Sequence, residues 1–153
     1  MAVEASSPRS NRGFWYVLLP MALGGLLLIA LIIAFRPTVR RNADALVQSN
    51  LRAAMTAARD IRDAQGSFAA ARPLRLREQL PNLLFIDPDE SSNEPGIVSV
   101  YAATDTWAGA ARADTGECFW IRIREAGDPE VGTGTDCSGD AVSTASGNGW
   151  PEA

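Results

Sequence analysis

The sequence predicts an α+β fold. An N-terminal transmembrane helix continues into an amphipathic helix, which packs on a small antiparallel β-sheet. Three observations predict it. Phe14 to Phe35 is a run with no charged side chain. The residues that follow repeat small and apolar side chains at helical spacing. The remainder holds short alternating runs separated by turn residues. A chain of 153 residues has room for one modest domain beside these helices. Four segments result: a basic tail or leader at 1–13, a transmembrane helix at 14–35, an amphipathic helix at 36–66 and a sheet domain at 67–153.

The apolar run is long enough to span a bilayer core as a tilted helix. Trp15 and Tyr16 sit at one end, where amphipathic rings favour the interface. Pro20 and the Gly24-Gly25 pair interrupt it, which membrane helices tolerate. It is too long for the apolar region of a secretory signal, and no clear A-x-A-type cleavage site follows. Arg9 and Arg12 precede the run, whereas Arg36, Arg40 and Arg41 follow it. By charge alone this leans against an external C-terminal domain; the cysteines argue for the outside. Arg36, Arg40 and Arg41 are expected to contact lipid phosphates and fix depth.

Beyond Pro37, which sets a kink or a first-turn break, Val39, Ala43, Leu46, Asn50, Ala53, Ala57, Ile61 and Ala64 recur at spacings of three or four. That pattern is one narrow face of an amphipathic helix. Gly66 supplies a C-terminal stop.

After Ser67 the pattern changes. Leu76, Leu80, Leu83 and Leu84 keep helical spacing between Pro73, which can start a short helix, and Pro81, which can stop it. The stretch D-P-D-E-S-S-N-E-P-G is a loop by composition. Three strands follow, at Ile97–Tyr101, Trp107–Ala113 and Cys118–Arg124. In the last, Phe119, Ile121 and Ile123 share one face, and Trp120, Arg122 and Arg124 the other. D-T-G-E, Asp114 to Glu117, is a hairpin turn between the last two strands. The tail from Gly127 reads as loop, with Trp150 docking back on the domain.

Cys118 and Cys137 are the chain's two cysteines. A disulfide between them would staple the tail to the sheet and place the domain in an oxidising compartment. Two free buried thiols or a metal pair are the alternatives. With no His and no third Cys, a structural zinc site has little to build on.

Absent residue types bound the chemistry. All fourteen basic residues are Arg, and there is no His. Triads that need His are therefore excluded, as is a phosphate-binding loop that needs Lys. No enzyme activity and no cofactor is expected. Asp87, Asp89, Glu90 and Glu94 fail the EF-hand pattern, because Ser92 stands where Gly is required. Asp128, Glu130, Asp136 and Asp140 form a second calcium candidate in a Gly-rich stretch, set against a reading as solvated acidic loop. Residues 1–86 carry a net +6 and residues 87–153 a net −10. This suggests a molecule standing on a membrane with an acidic end in water. Nucleic acid is not an expected partner.

The order of features carries a resemblance. A basic tail, Gly13-Phe14, an apolar span running into an amphipathic helix, and a sheet with a late cysteine pair resemble type IV pilins and pseudopilins. D-A-Q-G-S-F (63–68), L-P-N-L-L-F (80–85), V-S-V (98–100), T-G-E-C-F (115–119), Cys137 and Trp150 look similar to pilin-type proteins. The resemblance implies that Gly13 precedes a prepilin peptidase cut and Phe14 is the first mature residue. It also implies a helix on an antiparallel sheet, an extracytoplasmic domain on a single-pass cytoplasmic-membrane anchor, and a cell-surface filament as one destination. Its implied partners are the membrane, other pilin-like subunits including further copies, or an envelope assembly protein. The family's fifth mature residue is usually Glu; here it is Leu18, and Pro20 follows where pilins continue the helix unbroken. These departures favour a divergent minor subunit, or a tethered domain that is neither processed nor polymerised, over a major pilin.

Overall fold

A computed structural model describes residues 41–151. Among them no helix is long and apolar enough to cross a membrane. The span predicted at 14–35 lies outside the described residues.

Helix α1 covers residues 41–65, about 37 Å at the standard rise. Ala, Leu, Met, Arg and Gln dominate it, all good helix formers. It ends at Gly66, whose φ of 78° an L side chain resists. A short 3-10 turn at Phe68–Ala70 follows, with the Ser67 hydroxyl accepting from Ala69 N–H. Helix α2 is Pro73–Gln79, with Pro at its first turn as predicted. The strands are β1 Leu84–Ile86, β2 Ile97–Ala102, β3 Thr106–Arg112, β4 Cys118–Arg124 and β5 Glu130–Gly134. Helix α3, Gly139–Ser143, closes the domain.

The fold is therefore α+β, a helix packed on a five-stranded sheet in the order β1-β2-β3-β4-β5. Three of its strands lie where alternation placed them. The expectation of a wholly antiparallel sheet needs correction, because β1 pairs parallel with β2. The loop 87–96 brings the chain back to the same end before β2 begins, as a parallel pair requires. The tail is also more regular than its composition suggests: β5 and α3 lie within the stretch read as loop.

The seam of α1 is corrected as well. Val47, Leu51, Ala54, Ala58 and Ile61 are buried, whereas Leu46 is 52% exposed and Ala64 is exposed. The expected face shared only Ala57 and Ile61 with the buried set. Both stripes have helical spacing, so periodicity alone could not choose between neighbouring ones. The sheet chooses, because Phe85, Val98, Val100, Trp107, Phe119, Ile121 and Ile123 form its helix-facing core. Burying a Val, Leu or Ile side chain there is worth about 1.5–3 kcal/mol each. Ala54 and Ala58 keep the helix close to the strands.

The opposite face has a smaller core of Ala108, Ala110, Cys118, Trp120, Cys137 and Val142. The Trp120 ring packs against Gly132 of the neighbouring strand, where an added Cβ would come within 2.4 Å of it. Gly139 approaches the backbone of β2 so closely that a Cβ would stand 2.7 Å from Tyr101 N.

Candidate functional site

Arg112 organises one end of the sheet. Its Nε donates to Ser92 C=O at 3.2 Å, Nη1 to Gly116 C=O at 2.7 Å and Nη2 to Thr135 C=O at 3.2 Å. One guanidinium thus ties the β1–β2 loop, the β3–β4 hairpin and the loop before Cys137. Its rigid fork of donors suits that task. Buried Ser92 adds to it: its hydroxyl donates to Ile97 C=O at 2.7 Å and accepts from Arg112 N–H at 3.1 Å. Ser92 N–H donates to Cys137 C=O at 2.9 Å.

The disulfide Cys118–Cys137 is formed, with Cα atoms 5.4 Å apart. It fixes the third loop to the start of β4. The result is a platform of three tethered loops carrying Glu94, Asp114, Glu117 and Asp136, all exposed. Among the described residues none of these four makes an ion pair. Loops held on a rigid scaffold are the usual carriers of recognition.

The platform stands against residues 44–50 of α1. Thr115 Oγ1 donates to Asp44 Oδ1 at 2.9 Å, and Asn50 Nδ2 donates to Pro95 C=O at 3.0 Å. The basic and acidic halves of the sequence are thus interleaved in space within the described domain. Sheet pairing folds late residues back beside early ones.

A second cluster lies on the opposite face. Arg122 is only 3% exposed. It donates to Val142 C=O at 3.4 Å and Ser143 C=O at 2.6 Å, caps for the last turn of α3. It also pairs with Glu130, which takes Arg124 on its other oxygen. The hydrogen bond from Arg122 holds the Glu130 carboxyl below its ordinary range; partial burial opposes this, and the charges of Arg122 and Arg124 reinforce it.

The calcium candidates fall as follows. Glu130 is committed to two arginines. Asp136 Oδ1 accepts from Ser138 N–H at 3.1 Å, Asp140 sits in the first turn of α3, and Asp128 is exposed before β5. Among the described residues no three His, Cys, Asp or Glu side chains form a metal-holding group. Of the other residues singled out, Arg41 is exposed and is the first described residue of α1. Gly13, Phe14, Arg36 and Arg40 lie outside the described residues. Arg112 and Arg122 were not singled out beforehand. An arginine inside an apolar strand run was the available signal for both.

Two grooves flank α2. One of about 440 Å³ lies against the last turns of α1, lined by Ile61, Ala64, Ala70 and Leu74 with Asp60, Arg72, Arg75 and Glu78. The other, about 360 Å³, lies between α2 and β1. Leu74 lines both and is 71% exposed. Each balances two arginines with two carboxylates.

Comparison of the chain with protein-family models, with curated proteins and with solved structures finds no match.

Proposed function

We propose that the chain is a pilin-like subunit or accessory of a type IV pilus or type II secretion-like filament system, acting by assembly. One observation carries the reading. An uncharged run preceded by Gly13 leads toward a helix that lays a narrow Val/Leu/Ala seam across a sheet closed by a late disulfide. In this reading residues 14–35 hold the membrane or a filament core, and the sheet domain with its loop platform meets partners outside. Cys118–Cys137 fits an oxidising exterior.

A tethered binding domain, neither processed nor polymerised, is the second reading. Leu18 in place of Glu, and Pro20, favour it. A carboxylate set against a neighbouring amine would specify assembly, and this chain lacks that carboxylate.

Intact mass and N-terminal sequencing of the chain from native membranes test the two. A mature chain beginning at Phe14 supports the subunit. A chain that retains residues 1–13 overturns processing and leaves the tethered domain.

A further inference from the structure

Residues 147–150 strap the outer edge of β5. That strand ends the sheet, so one row of its backbone groups lacks a neighbouring strand. The Asn148 side chain takes the neighbour's part. Its Oδ1 accepts from Thr133 N–H at 2.9 Å and its Nδ2 donates to Thr133 C=O at 3.4 Å. Gly149 N–H donates to Val131 C=O at 3.1 Å. Trp150 Nε1 donates to the carbonyls of Trp120 and Gly132, each at 3.1 Å. The strap passes beside the Trp120 ring at Gly147 and reaches the helix side, where Trp150 meets Phe119 edge-on and lies 4.7 Å below the Arg52 guanidinium.

The latch of this strap is an Asn-Gly pair. Asn148 is exposed, and Gly149, at φ 80°, has no side chain to shield its nitrogen. We propose that Asn148–Gly149 is a deamidation site, and that its conversion unlatches the strap. The Gly149 backbone nitrogen attacks the Asn148 side-chain carbonyl carbon. A C–N bond forms, the bond to the side-chain nitrogen breaks, and ammonia leaves with the proton from Gly149. Water then opens the cyclic imide at either carbonyl, giving aspartate or isoaspartate.

Both products mismatch the site. Thr133 offers one donor and one acceptor, which a carboxamide satisfies and a carboxylate cannot. An aspartate would face the Thr133 carbonyl with a second acceptor. An isoaspartate would lengthen the backbone and carry Gly149 and Trp150 out of register. The folded strap also restrains the reaction, because Val131 C=O holds the attacking nitrogen. Conversion therefore proceeds from the opened strap, and its rate reads how often the strap opens.

The test uses the full-length chain in detergent. Folded and urea-unfolded samples are aged in mildly alkaline buffer, and peptide mapping follows the replacement of NH₂ by OH at Asn148. Hydrogen exchange then compares wild type with N148D. Conversion is expected in both samples, more slowly in the folded one. The Gly149 amide, which Val131 C=O holds while the strap is latched, is expected to exchange about tenfold faster in N148D, the loss of one hydrogen bond's worth of protection, with the Phe119–Ile123 amides unchanged. Should N148D unfold, aged wild type supplies the second measurement, because its converted and intact fractions separate by charge. Unchanged Gly149 protection in the converted chain overturns the proposal. So does an intact Asn148 in the folded chain long after the unfolded chain has fully converted.

Discussion

The two faces of the sheet are held by different physics. The helix face buries a broad apolar set from α1, β2, β3 and β4, with no covalent link. The opposite face buries a cluster of six hydrophobic residues and relies on directed links: the disulfide, the Arg122 bonds to α3, and glycines that admit close contact. Ser99 shows the style of the second face. Its buried hydroxyl donates to Asp87 C=O at 3.1 Å and accepts from Gly139 N–H at 2.8 Å, joining β2, a loop and a helix through one oxygen. Area distributes stability over many residues, whereas directed links concentrate it in a few. Each face should therefore fail in its own way.

Phe119→Ala should have the largest effect. Phe119 is fully buried on the helix face and carries Trp150 on its edge. Truncation should cost about 3–5 kcal/mol, read from urea unfolding, and loosen α1 and the strap together. Replacing Cys118 and Cys137 by Ser comes next, at about 3 kcal/mol for a link across nineteen residues. Its signature differs: protease sensitivity should rise between β4 and α3, while amides along α1 stay protected. Equal loosening of both faces would break the comparison. Gly139→Ala should be smaller, about 2 kcal/mol. Its new Cβ meets Tyr101 N and Val100 C, backbone atoms that cannot rotate away. Exchange at the Gly139 and Asp140 positions should accelerate before any change on the helix side.

The strands of the helix face were more legible in the sequence than the other face, although the seam of α1 itself was not. Apolar alternation in β4 and the D-T-G-E turn are local signals, and local signals survive folding. The turn closes with Ala113 N–H on Glu117 C=O at 2.9 Å, with Gly116 at φ 87°. Trp150 could be read as docked because a lone large aromatic in a polar tail has few other stable places. The opposite face was obscure because its contacts are long-range and polar. Arg122 looked like a solvent-facing residue until α3 folded over it. Strand β5 has Gly132 at its centre, which reads as loop, yet that glycine is what lets Trp120 lie on the sheet. Neither the Arg112 hub nor the parallel β1 leaves a periodic trace. The platform could be seen only as a list of acidic residues, with nothing to say which would converge.

Glu130 sharpens the comparison most finely, because it is the titratable member of the second face. Its carboxyl lies below the ordinary value of 4.5, chiefly through the Arg122 hydrogen bond. A carboxyl whose folded value is depressed binds its proton more weakly in the folded state than in the unfolded one. Its contribution to stability is then complete above the unfolded value and is lost as pH falls through the folded one. Glu130→Gln keeps an acceptor for Arg122 but removes the titration. The stability difference between wild type and E130Q should therefore be constant at neutral pH and shrink as the solution is acidified below the ordinary carboxylate range. Every other carboxylate contributes alike to both proteins, so the difference isolates this one. Exchange at Val142 and Ser143 should follow the same pH window, because the guanidinium that Glu130 orients also holds the end of α3. A difference that persists unchanged into acid would mean that Arg122 holds α3 without its carboxylate, and that the second face depends on the disulfide and close packing alone.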